Sequence, residues 1–208
     1  MKPGELPDLE RVPLFPLGTV LFPGGVLPLR IFEARYVDMV RVCMRGGTAF
    51  AVCLITRGNE VGVPADHELT GCLASIVDFD AEAGGLLRLR TVGLQRVRVI
   101  EREVEPNGLI RAGVRRIDDD PRAPVPEAMA ACVQLVRRIV QDLVEREPDA
   151  SLRMVNPPYD YESAAWVGNR LCEFLPIPPR ARQKLMELDD PVARLEVVHE
   201  YLQRHQVL

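Results

Sequence analysis

The stretch that decides the fold is Val12-Pro13-Leu14-Phe15-Pro16-Leu17-Gly18-Thr19-Val20-Leu21-Phe22-Pro23-Gly24-Gly25-Val26-Leu27-Pro28-Leu29-Arg30-Ile31-Phe32-Glu33. It is dense in apolar side chains, yet Pro13, Pro16, Pro23 and Pro28 interrupt it. Each proline removes a backbone donor and crowds the preceding turn, so no long helix can run through it. Short extended pieces joined by tight turns fit instead, with Phe22-Pro23-Gly24-Gly25 as the sharpest reversal. The apolar content calls for burial, and the prolines place these pieces at sheet edges or bends.

Downstream, strand signals dominate as far as residue 118. Thr48–Thr56 is a continuous apolar run of strand length. Leu73, Ser75, Val77 and Phe79 alternate with Cys72, Ala74, Ile76 and Asp78, and Ala83-Gly84-Gly85 reads as the following hairpin turn. Leu86–Glu105 continues as strand, with Gly93 marking a bulge or a close backbone approach. Glu105-Pro106-Asn107-Gly108 is a turn before a strand over Leu109–Ile117. One helix interrupts: Tyr36, Val37, Val40, Cys43 and Met44 recur at helical spacing and Gly46-Gly47 ends them. Successive hairpins imply a mainly antiparallel sheet curled toward a barrel.

The character changes at Asp118-Asp119-Asp120-Pro121-Arg122-Ala123-Pro124-Val125-Pro126, an extended linker by composition. The expected organisation is a β-rich domain over 10–118, a linker over 119–126 and a helical domain over 127–206. Met129, Cys132, Val133, Val136, Ile139, Val140, Leu143 and Val144 make Glu127–Glu147 an amphipathic helix. Asn156-Pro157-Pro158 breaks the chain before a helix over Ser163–Leu175, followed by the stiff Leu175–Pro179 turn. Two shorter helices, Arg180–Leu188 and Pro191–Arg204, complete a small bundle, with Asp190 placed as the cap of the last. The fold class is therefore α+β, a β-rich half followed by a helical bundle.

Composition excludes several chemistries. The lysines are Lys2 and Lys184, and neither follows a glycine as a phosphate-cradling loop requires. Neither is placed for a Ser-Lys dyad with Ser75, Ser151 or Ser163. The five cysteines, Cys43, Cys53, Cys72, Cys132 and Cys172, form no C-x-x-C pair and read as buried thiols in a reducing compartment. His67, His199 and His205 lack metal-ligand spacing and read as surface residues. No catalytic, cofactor-binding or metal-binding residue is assigned, and no cofactor is expected. Residues 1–118 hold 15 basic and 15 acidic side chains, and residues 119–208 hold 11 and 15. That balance disfavours nucleic acid, so Arg88, Arg90, Arg96, Arg98, Arg111, Arg115 and Arg116 read as a solvated sheet face. Met1–Glu5 begins no signal peptide and no window is apolar enough to span a membrane, so a cytoplasmic location is expected.

Four pieces in order carry a family resemblance. Val12–Leu17 with Leu21-Phe22-Pro23-Gly24 and Leu27-Pro28-Leu29-Arg30-Ile31-Phe32-Glu33 resembles the start of the N-terminal domain of Lon, the ATP-dependent protease. Gly71-Cys72-Leu73-Ala74-Ser75-Ile76, Val92-Gly93-Leu94-Gln95-Arg96-Val97-Arg98-Val99 and Phe174–Leu185 resemble later parts of the same domain. The resemblance covers nearly all of residues 10–205. It implies a PUA-like β-rich half followed by a helical bundle, acting in substrate recognition. The motifs for ATP hydrolysis and peptide cleavage are missing from these 208 residues, so a non-catalytic binding module is expected. Its partners would be unfolded or extended polypeptides, or a protein for which it serves as adaptor. An RNA-binding role is the alternative, and an independent hydrolase a more distant one. The Val26–Phe32 segment offers an edge for extended peptides, and the candidate contacts are Phe22, Leu27, Leu29, Phe32, Arg30 and Arg96.

Overall fold

The computed structural model describes residues 8–207, so Lys2 and the Met1–Glu5 terminus lie outside the described residues. By internal contacts the chain divides into two units. The first comprises the residues up to Pro23 with Leu27–Asp119, and the second comprises Gly24–Val26 with the residues from Asp120 onward.

The first unit holds β1 (Leu9–Leu17), most of β2 (Val26–Ile31), the helix α1 (Ala34–Gly46), β3 (Phe50–Arg57), β4 (Asp66–Ala81), β5 (Leu87–Val104) and β6 (Ile110–Arg116). The sheet order is β2-β5-β4-β3-β1-β6, and β6 pairs back onto β5. Five strands thus close into a barrel, with β2 added outside on β5. β1 pairs antiparallel with β6, β3 with β4, β4 with β5 and β5 with β6, while β1 and β3 run parallel.

Continuous apolar runs in β1 and β3 follow from burial of both faces. Val12, Leu14, Ala51, Cys53, Leu73, Val97, Val99, Ile110, Ala112 and Val114 form one core, drawn from all five barrel strands. The alternate residues Phe15, Leu17, Phe50, Val52, Cys72 and Ala74 form another with Tyr36, Met39, Val40 and Cys43 of α1. Met44, expected on the inward stripe of α1, is exposed. The buried face instead takes Met39, one helical turn before Cys43. Gly47 ends α1 in the left-handed conformation at φ 60°.

The prolines of β1 depart from the edge expectation. β1 lies between β3 and β6 in the sheet. Its two ladders barely overlap: β6 pairs with Leu9–Leu14 and β3 with Leu14–Leu17. Pro13 is in register only with Arg111 and Pro16 only with Cys53, so each proline meets a ladder on one flank alone. Pro28, in contrast, lies on the true edge strand β2.

Gly93 makes the anticipated close approach, because a Cβ there would overlap the Phe22 carbonyl oxygen. It pairs with Ala74 where the β4–β5 register shifts. The Phe22-Pro23 turn can pass over the barrel only because this position has no side chain.

The second unit holds α2 (Ala130–Arg146), preceded by a 3₁₀ turn over Glu127–Met129, then α3 (Ala164–Phe174), α4 (Pro179–Glu187) and α5 (Pro191–Arg204). α3 packs against α2, α4 and α5. Asp190 caps α5 as expected, accepting from the N–H groups of Val192 at 2.8 Å and Ala193 at 3.2 Å. The stretch after Asp119 is extended and bonded along the helices. The Val125 N–H donates to the Glu162 carbonyl at 2.9 Å and the Ala164 N–H to the Ala123 carbonyl at 2.9 Å.

A candidate polypeptide-binding surface

The six candidate contacts separate by burial. Phe22 is wholly buried, Leu29 is 8% exposed and Arg96 4%, so all three serve the core and none presents a side chain to a partner. Arg96 departs from the solvated face expected for the arginines, because its guanidinium turns in to donate to the Asp118 carbonyl at 3.2 Å. Leu27 is half-buried against the α1 core. Arg30 is exposed, 4.0 Å from Glu82, and Phe32 is 59% exposed. Alternation along β2 explains the split: Leu29 and Ile31 point inward, while Pro28, Arg30 and Phe32 point outward.

Around Phe32 the first unit builds a framed rim. Arg35, 6% exposed, donates to the Gly108 carbonyl at 3.0 Å, pairs with Glu33 at 3.0 Å and lies over the Tyr36 ring at 4.6 Å. Glu33 in turn accepts from the Gly62 N–H at 3.4 Å, and Glu60 accepts from the Gly18 N–H at 2.7 Å. The loop between β3 and β4 is therefore stitched to the end of β1 and to the end of β2. Val61 and Val63 flank Gly62 and stand 54% and 79% exposed. Phe32 precedes Glu33, so three exposed apolar side chains are carried on two segments joined by one hydrogen bond. The valines escaped sequence reading because Gly58-Asn59-Glu60-Val61-Gly62-Val63-Pro64 has no period. Their signal was composition alone, apolar residues in a glycine-flanked loop with no strand to join. Beneath the rim, burial raises the Tyr36 phenol above its ordinary value, with Arg35 acting in the opposite direction.

His67 departs from the surface expectation. It is buried on β4, its Nδ1 2.8 Å from the Glu68 carbonyl and its Nε2 buried with no partner. Desolvation lowers its pKa, and the nearby Arg102 lowers it further. The five cysteines are buried thiols in no disulfide. Burial pushes the Cys53 and Cys172 thiols up to about 12 and Cys132 to about 11. Among the described residues, no three His, Cys, Asp or Glu side chains are grouped to hold a metal ion, and no helix is long and apolar enough to cross a membrane.

In the second unit the single tryptophan, Trp166, packs edge-on against Tyr161 with ring centroids 5.1 Å apart. Arg137 lies 3.9 Å over the Tyr161 ring. These rings touch one another too closely to admit a ligand between them.

A closed β-barrel unit with an apolar rim, together with a separate four-helix unit, defines a two-part α+β module. The sequence profile of the ATP-dependent protease La (LON) substrate-binding domain matches residues 11–204, and the chain belongs to that family. Lon protease 2 of Myxococcus xanthus is 25% identical over 200 residues, covering 95% of this chain and 24% of that protein. The Lon protease of Anaeromyxobacter dehalogenans is 23% identical over 200 residues, again covering 95% of this chain and 24% of the relative. The chain thus spans about a quarter of the length of these relatives. The crystal structure of a Lon N-terminal domain protein from Xanthomonas campestris is similar with a TM-score of 0.73 at 34% identity, over 91% of this chain and 97% of that one. The N-terminal domain of a Mycobacterium avium complex Lon protease shares the fold with a TM-score of 0.60 at 17% identity, over 94% of this chain and 100% of that one.

Proposed function

We propose that this module binds exposed segments of unfolded polypeptides in the cytoplasm, contributing recognition and no bond-breaking chemistry of its own. The contact surface is the rim of the first unit, with Phe32, Val61 and Val63 as apolar anchors and Leu27 and Arg30 beside them on β2. One observation carries this reading: three large apolar side chains stand exposed on segments tied to the barrel through Arg35, Glu33 and Glu60. A partner that buries them gains apolar contact without first ordering the loop, which lowers the entropic cost of binding. Burying a phenylalanine is worth about 1.5–3 kcal/mol, so Phe32→Ala should weaken binding by roughly tenfold or more.

The test is photocrosslinking. A benzophenone amino acid at position 32 is irradiated with reduced, carboxymethylated α-lactalbumin, and with the folded, oxidised protein as control. Crosslinks to the unfolded form alone, together with weaker binding by Phe32→Ala/Val63→Ser in anisotropy titrations, are expected. Equal crosslinking of both forms, or a double variant that binds as tightly as the parent, would overturn the reading.

A further inference from the structure

The β4–β5 arm carries a feature that the rim reading does not use. β3 leaves β4 at Ala74, while β4 continues with β5 to Ala81. Val77–Ala81 is exposed throughout, and among the described residues no strand pairs with its outer edge. The ladder fixes which groups face outward. The Glu82 N–H donates to the Leu86 carbonyl at 2.8 Å. Counting back by twos, Asp80 and Asp78 turn their main chain to Arg88 and Arg90, and Phe79 and Ala81 turn theirs away from β5. The Phe79 N–H is accordingly taken by a side chain, Asp78 Oδ1 at 2.9 Å.

The two faces of this edge differ. Phe79 and Ala81 lie on one face, with Phe79 51% exposed and Val77 at the bulge 53%. Asp78 and Asp80 lie on the other, where Asp80 pairs with Arg88 of β5 at 3.0 Å and Asp78 accepts from the neighbouring Phe79 N–H. A second copy pairing antiparallel about Phe79 would set Asp78 against Asp80 twice, and like charges directly opposite are unfavourable. Asp78 favours a basic side chain, and one placed opposite it would draw that carboxylate off the Phe79 N–H and open the donor to the incoming strand, while Asp80 shares its charge with Arg88.

We propose that the outer edge of β4 accepts an extended polypeptide as an added strand, and that it selects segments in which basic residues alternate with apolar ones. This goes beyond the rim reading and does not depend on it. The basic side chains lie along Asp78 and Asp80, and the apolar ones lie over Phe79 and Val77.

The experiment uses three fluorescein-labelled heptapeptides: alternating Val and Lys, alternating Val and Glu, and the Val-Lys peptide N-methylated at every second amide on its pairing edge. Anisotropy titrations are run with the full chain and with Phe79→Pro, which removes the outward N–H and keeps both aspartates. The Val-Lys peptide should bind about tenfold or more tightly than the Val-Glu peptide. N-methylation and Phe79→Pro should each weaken binding by about the same factor. Equal binding of the Val-Lys and Val-Glu peptides, no binding of either, or Val-Lys binding that survives N-methylation would each overturn the proposal. The N-methylated peptide keeps the test decisive should Phe79→Pro disturb the arm. Crosslinking of unfolded protein at position 32 reads the rim separately, so loss of one result with retention of the other shows which reading has failed.

Discussion

Removing the Arg194 guanidinium should destabilise the helical unit more than any other single side-chain change at a polar residue there. Arg194 is 1% exposed. A guanidinium has five N–H donors, and here every one is used. Nε donates to the Leu185 carbonyl at 2.9 Å. Nη1 donates to Asp120 at 2.6 Å and to Asn169 at 2.9 Å. Nη2 donates to Asp120 at 3.1 Å and to the Leu188 carbonyl. The carbonyls of Leu185 and Leu188 lie at the end of α4, so one side chain on α5 caps α4, holds α3 through Asn169 and pins the chain at Asp120. Arg194→Met keeps much of the volume and removes the buried ion pair that Arg194 makes with the Asp120 carboxylate, 9% exposed. Breaking a buried ion pair by removing one member costs about 3–5 kcal/mol. With a urea m-value near 2 kcal/mol/M, the midpoint should fall by about 2 M. Trp166, on α3, gives a fluorescence signal from the unit that contains Arg194. Arg194→Met/Asp120→Leu should recover only part of the loss, because the charge is relieved and the two carbonyls are not. A midpoint shift equivalent to less than about 1 kcal/mol for Arg194→Met would refute the reasoning, since that is the scale of an exposed ion pair.

Further outcomes follow from the same geometry. Gly93→Ala drives a methyl group into the Phe22 carbonyl oxygen and against Leu21, and should cost about 1–3 kcal/mol in thermal or urea denaturation. His67 has a folded pKa below its unfolded value, so its neutral form is favoured on folding. That contribution is complete above about pH 6.5 and is lost as the pH falls through the folded pKa. His67→Gln should therefore flatten the acid side of the stability profile below about pH 6.5, and an unchanged slope would count against a buried neutral imidazole. The raised thiol pKa values of Cys53, Cys132 and Cys172 leave little thiolate at neutral pH. A thiol-reactive reagent should label these three only after denaturation, as followed by mass spectrometry.

Local signals carried most of the secondary structure. The Gly47 and Asp190 helix ends, the Gly84-Gly85 and Asn107-Gly108 turns and the α2 stripe are all short-range features in which the residue type states its own conformation. Pairing across the chain was less legible. The Asp118–Pro126 segment reads as a linker by composition, but Asp120 closes a buried ion pair with a residue 74 positions away. Arg96 alternates like an exposed strand residue and is buried because the chain after β6 returns its Asp118 carbonyl to it. His67 looked polar among Asp66 and Glu68, and the strand pairing with Ile55 turned it inward. Phe22 and Leu29 carried the apolar signal that nominated them as contacts, and that same hydrophobicity placed them in the core.

The motifs that carry the resemblance are therefore the ones least able to say what the module holds. Phe22 and Gly93 belong to two of them, and they meet because the backbone of one occupies the space where the other lacks a side chain. Arg96 belongs to the second as well, and it closes the barrel against the chain leaving β6. Altering one such residue disturbs the packing around the others. A residue that touches a partner must meet the opposite condition: exposed in the free protein and tolerant of change in the fold. Phe32, Val61 and Val63 meet it at the rim, and Val77 and Phe79 meet it along β4. Substituting each of these five singly with serine should leave the urea midpoint nearly unchanged, because a surface substitution usually stays within about 0.5 kcal/mol. If the midpoint instead falls by as much as for Gly93→Ala, these side chains support the fold, and neither surface is set aside for a partner.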